Sequence, residues 1–262
     1  MSSDPRRIAR LRDRFQHRVT VADGGLGTSL QNQHLTPDDF GGKDGCNEYL
    51  NLTCPDAVRR VHASFLDVGC DAVEANTFGA NPSNLGEYGL DGRLAEIALA
   101  GARLAREVAD SYDRERYVFG SMGPGTKLPS LGNISFRTLR DGYEAQAAAL
   151  IEGGVDLLMV ETVQDILQAK AAVIGAKRAR AAAGIDVPIV VSVTVETTGT
   201  LLLGTETMAA FYALAALGID GMGLNCATGP DTMGEHLRQL AGRLPVTSAM
   251  PNAGLPELGP DG

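Results

Sequence analysis

The residues best able to do chemistry in this chain are one cysteine and four acids. Cys226 follows Asn225 in "GLNCATGP", where a short apolar run stops and turn residues begin. Asp23, Glu74, Glu161 and Glu196 stand within a residue or two of the ends of other apolar runs. An acidic mouth suits a substrate ammonium group, a metal ion or general acid–base chemistry. A thiol on the same rim is suited either to nucleophilic attack or, as a thiolate, to metal ligation. His17, His34, His62 and His236 fall in helical patterns or in the first loop, so no imidazole stands at a neighbouring run end to activate the thiol. Ligation is therefore the better chemical role, although one thiolate does not hold zinc alone. Cys46, Cys54 and Cys70 read as small packing residues.

Taken singly, an acid at a strand end is often a helix cap or a rim charge. Four at equivalent places describe a pocket. The absence of lysine at any run end counts against Schiff-base chemistry. "GSMGPGTK" resembles a phosphate loop only superficially, because Lys127 follows Thr126 and Pro124 removes a backbone N–H that a phosphate cradle needs. "DGGLGTS" lacks the spacing of a dinucleotide fingerprint, and tight turns explain its glycines.

These groups need elements to position them. Seven apolar runs read as strands buried on both faces: 19–22, 72–75, 117–120, 157–160, 188–193, 219–224 and 245–249. Helical periodicity separates most of them, over 56–68, 94–108, 138–152, 163–183, 206–217 and 231–241. Such alternation predicts parallel strands with crossover helices, and seven units without a break favour a (β/α)8 TIM barrel over an open doubly wound sheet. The eighth strand is missing: after Ala249 comes only "MPNAGLPELGPDG". The loop from Gly24 to Pro55 is about thirty residues long, well beyond the ~12–15 above which loops are usually functional or disordered.

Composition narrows the classes further. With 262 residues, 44% of them apolar, the chain suits a single large core. A net charge of −9 argues against nucleic acid and against an anionic membrane surface as partners. The four cysteines form neither a C-x-x-C pair nor a disulfide framework, which suits a reducing cytoplasm. No run approaches the ~18 apolar residues of a membrane span. The first 18 residues carry six arginines and read as an exposed amphipathic helix, with Pro5 at its start and Ile8, Leu11 and Phe15 on one face.

Seven motifs at run ends carry a specific resemblance: "DGGLGTSLQ", "NTFGANPSNL", "GSMGPGTKLPSLG", "VETVQD", "VTVETTGTLLLG", "GLNCATGP" and "MPNAGLP". From about Val19 to Gly259 the chain resembles the homocysteine S-methyltransferase family, and within it the N-terminal homocysteine-binding module of cobalamin-dependent members. The resemblance implies a (β/α)8 barrel that binds homocysteine and one zinc ion at its rim. Cys226 matches the first of three cysteine ligands, whereas the other two, in a G-G-C-C-G-T motif after strand eight, are absent. Residues 1–262 are accordingly expected to be a homocysteine-binding barrel domain, truncated before its eighth strand, from the N-terminus of a larger multidomain enzyme.

The activity implied is S-methylation of homocysteine to methionine. Zinc activates the thiol, and the methyl group comes from methylcobalamin, with 5-methyltetrahydrofolate as the upstream donor. The resemblance gives the substrate ammonium to Asp23 and Glu161, and its carboxylate to backbone N–H groups around Thr77, Phe78, Ser121 and Met122. Asn225 orients its neighbour Cys226, the catalytic metal ligand. Cobalamin and folate modules of the same enzyme are the implied partners. The competing reading is a catalytically silent barrel fragment that binds only an amino acid or a partner module.

Overall fold

The computed structural model describes residues 2–253, so the segment from Gly254 onward lies outside the described residues. Six parallel strands form one sheet in sequence order: β1 Ala72–Glu74, β2 Tyr117–Met122, β3 Leu157–Val163, β4 Ile189–Val193, β5 Gly221–Asn225 and β6 Val246–Met250. The helices are α1 Pro5–His17, α2 Leu26–Gln31, α3 Leu50–Thr53, α4 Pro55–Asp67, α5 Pro82–Glu87, α6 Leu94–Asp110, α7 Phe136–Gly153, α8 Ile166–Ala183, α9 Thr207–Ala215 and α10 Pro230–Leu240. The expected alternation of strand and crossover helix is present. The expected first strand is not a ladder strand, because segment 19–22 contributes a single parallel bridge, Ala22 to Ala72. Val19 and Val21 are exposed, so nothing apolar packs on them to straighten the segment into a longer ladder.

The outward side chains of the strands, among them Val73, Val118, Leu158, Val160, Val191 and Leu224, form the main core with the helices. The inward side chains form a second cluster of Ala72, Tyr117, Phe119, Leu157, Met159 and Val190. Because side chains alternate along a strand, the next inward positions towards the C-terminal ends are Glu74, Ser121, Glu161, Ser192 and Asn225. The interior is thus an apolar floor under a polar rim. The sheet is curled: residues 18–23 at one edge and 245–250 at the other line a single cavity of about 500 Å³ with Phe119, Leu157, Met159 and Val190. The curl is tight between β5 and β6, where a Cβ at Gly223 would lie 2.1 Å from the Ser248 carbonyl oxygen.

The N-terminal helix has the expected apolar face, with Ile8 and Leu11 buried, but its polar face is not simply solvated. Asp4 caps it by accepting from the Arg6 N–H at 2.9 Å, and Leu11 and Phe15 pack against the inward cluster. Its arginines reach acids that stand one to three residues before successive strands. Arg14 pairs with Asp71 before β1, Arg10 with Glu115 before β2, and Arg7 with Asp156 before β3 at 2.5 Å. Arg12 pairs with Asp186 before β4 at 3.2 Å and with Asp220 before β5 at 2.6 Å. The helix therefore lies across the N-terminal ends of the strands. Arginine content that looked like a solvated face is a ring of specific ion pairs, Asp156 being fully buried between Arg7 and Arg106. No helix among the described residues is long and apolar enough to cross a membrane.

Candidate active site

The C-terminal ends of the strands bring together three of the four acids. Asp23, just past the Ala22 bridge, is buried, and both of its carboxyl oxygens accept the Glu74 N–H at 3.0 Å. Glu161, on β3, is also buried and accepts a hydrogen bond from the Ser121 hydroxyl on β2. Burial is the largest cause lifting Asp23 to about 8, helped by the charge of Glu161, and burial lifts Glu161 to about 7. Glu74 is half-buried, and one of its carboxyl oxygens is enclosed with no hydrogen-bond partner among the described residues. Burial first, then the charges of Glu161, Asp23 and Cys226, hold it well above the usual carboxylate range. Glu196 stands apart, in a turn where its N–H donates to the Thr200 carbonyl at 2.9 Å.

Cys226 is exposed at the tip of β5, whereas Cys46 and Cys70 are buried. Cys226 and Ala227 both adopt left-handed backbone, with φ of 61° and 56°. This conformation is costly for residues with a Cβ and concentrates at functional sites. The turn is fixed by the Cys226 N–H donating to the Met250 carbonyl at 3.1 Å and by the Thr228 N–H donating to the Cys226 carbonyl at 2.6 Å. The Asn225 side chain donates to the Cys226 sulfur at 3.1 Å and also engages Thr162, a third left-handed residue at φ 55°.

The loops expected to take a substrate carboxylate are tied to each other. The Thr77 hydroxyl donates to the Ser121 carbonyl at 2.8 Å, and the Gln146 amide donates to the Thr77 and Ser121 carbonyls at 2.8 and 3.3 Å. The Thr77 N–H donates to the Ala75 carbonyl at 2.7 Å, which removes it from the carboxylate contacts expected of it. Phe78 is exposed, and its carbonyl accepts from Gly123 at 2.9 Å. A Cβ at Gly123 would sit 2.7 Å from that carbonyl oxygen, so this close approach requires glycine. Met122 is fully buried in the main core, which leaves only its backbone for a substrate contact.

Zinc is tested by the donors present. Among the described residues, no group of three or more His, Cys, Asp and Glu side chains is placed to hold a metal ion. Cys226 is one suitable donor, and the described residues do not complete a site around it.

Residues 20–262 match the family described as Homocysteine S-methyltransferase. Methionine synthase of Mycobacterium tuberculosis is 53% identical over 257 residues, covering 96% of this chain and 22% of that protein. Methionine synthase of Mycobacterium leprae is 52% identical, with 96% and 21% covered. The chain thus spans about a fifth of the length of these curated relatives. The fold is similar to that of the homocysteine methyltransferase MmuM from Escherichia coli. Its oxidized form aligns at TM-score 0.76 and 20% identity over 96% of this chain and 87% of that one, and its metallated form at 0.72 and 20% over 91% and 83%.

Proposed function

Because the chain belongs to the homocysteine S-methyltransferase family, we propose that it binds homocysteine at the carboxylate-lined mouth and presents the substrate thiol for S-methylation to methionine. The observation that carries this reading is that the buried Asp23, beside β1, and the buried Glu161, on β3, stand at the same C-terminal rim close enough for the charge of one to act on the other. Two buried acids with no lysine or arginine partner among the described residues suit a substrate ammonium group, which brings a positive charge to them. Ser121 orients Glu161 through its hydroxyl, and the Glu74 N–H orients Asp23. The N–H groups of Phe78, Ser121 and Met122 are the remaining candidates for the substrate carboxylate. Exposed Cys226, with its sulfur held by the Asn225 amide, stands at the same rim to contribute one thiolate ligand to zinc.

In this reading residues 1–262 belong to the homocysteine-binding domain of a larger enzyme, and their six-stranded curled sheet is part of a (β/α)8 barrel. The methyl group comes from methylcobalamin on a separate module, recharged by 5-methyltetrahydrofolate on another. The short coverage of the methionine synthases by this chain supports the multidomain part of the reading.

The test is calorimetric titration of homocysteine into the chain and into Glu161→Gln. Removing a charge-assisted contact is expected to weaken binding about ten- to hundredfold, equivalent to ~1.5–3 kcal/mol. Equal affinities would remove Glu161 from the site.

A further inference from the structure

Glu74 is the acid whose chemistry the family resemblance leaves unused. It ends β1 on the same face as Ala72, which belongs to the inward cluster, and it lines the interior cavity beside Asp23. The other two carboxyls each have a fixed donor: Asp23 takes the Glu74 N–H, and Glu161 takes the Ser121 hydroxyl. Glu74 has none on its enclosed oxygen among the described residues. A buried acceptor left unpaired is costly, which makes such an atom a place where a ligand donor is missing.

The count of donors fits. An alkylammonium group presents three N–H donors and no acceptor. Asp23 and Glu161 supply two carboxyl acceptors, and the enclosed oxygen of Glu74 supplies a third. Resting on the homocysteine reading above, we propose that Glu74 is a substrate-binding residue that completes a three-carboxylate cradle for the ammonium group and selects α-amino thiols over thiols lacking the amine.

The experiment compares homocysteine with 4-mercaptobutanoate, which keeps the thiol and carboxylate but lacks the amine. Both are titrated into the wild-type chain, Glu74→Gln and Glu161→Gln, with thermal melts to confirm folding. Glu74→Gln is expected to weaken homocysteine about tenfold and to leave 4-mercaptobutanoate unchanged or tighter. If Glu74→Gln folds poorly, Glu74→Leu removes the buried polar group and carries the same expectation. Equal loss for both ligands would overturn the inference, because it would mark a merely structural role. Loss of homocysteine affinity in Glu161→Gln but not in Glu74→Gln would overturn it while leaving the site reading intact. No homocysteine binding to the wild type, or no effect of either variant, would overturn both.

Discussion

Asn225 grips Thr162 at two points: its side-chain oxygen accepts the Thr162 N–H at 3.0 Å, and its nitrogen donates to the Thr162 hydroxyl at 2.8 Å. The same nitrogen lies 3.1 Å from the Cys226 sulfur. One amide thereby couples the residue after Glu161 to the candidate metal ligand, joining the ends of β3 and β5. It also holds a β-branched residue in left-handed backbone, which costs roughly 1–2 kcal/mol.

Asn225→Ala should destabilise the fold by about 1–3 kcal/mol, because it leaves a part-buried N–H without its acceptor. Adding Thr162→Gly should recover part of that loss, since glycine adopts φ of 55° without the steric penalty. Urea unfolding of the single and double variants measures both. A double variant less stable than Asn225→Ala alone would show that the Thr162 conformation is not strained.

The acid cluster makes stability depend on pH with a definite sign. Asp23 and Glu161 have folded values of about 8 and about 7, above those of unfolded carboxyls, so between pH 4 and 8 the native chain binds more protons than the unfolded one. Their contribution to stability is therefore intact below about pH 4 and declines as pH rises through 7 and 8. Glu161→Gln removes one titrating group and should gain roughly 1–3 kcal/mol on wild type between pH 5 and 9. Thermal melts across that range test it, and a constant difference between the two proteins would contradict the assignment.

The sequence made the repeating units legible because each strand is a continuous apolar run and each helix has its own stripe. The ends of β4, β5 and β6 fall within a residue or two of the expected ones. Asp23, Glu161 and Cys226 were legible as rim residues for the same reason. The row of ion pairs under the curled sheet was not, since Arg7 meets Asp156 and Arg12 meets Asp220 across most of the chain. Glu74 was visible as a strand-end acid, but its unpaired oxygen depends on how β1 is registered against Asp23. The left-handed backbone at Thr162, Cys226 and Ala227 has no glycine to announce it.

The N-terminal helix should be a structural part of the curled sheet. Leu11 is fully buried against the inward cluster, so Leu11→Ala should cost about 2–5 kcal/mol. A solvated helix would tolerate the change with almost no loss. Chemical denaturation distinguishes the two, and a change within ~0.5 kcal/mol, the usual range for surface substitutions, would return the helix to the exposed role first expected of it.

Cys226 gives the last prediction, because its accessibility and its ligand role are separable. It is exposed, Cys46 and Cys70 are buried and Cys54 is half-buried, so a thiol reagent should modify Cys226 first in the native chain. Cys226→Ala should lose that fast phase. Zinc needs three or four protein donors at about 2.0–2.3 Å, and the described residues bring no such group together. The purified 262-residue chain should therefore retain less than one zinc per molecule after dialysis, while a longer chain that adds two further thiolates at the rim should retain one. In that longer chain Cys226→Ala should abolish zinc retention, because two thiolates leave the ion loosely held. Metal content by atomic absorption decides the matter: full occupancy in the Cys226→Ala protein would sink the assignment of Cys226 as a ligand.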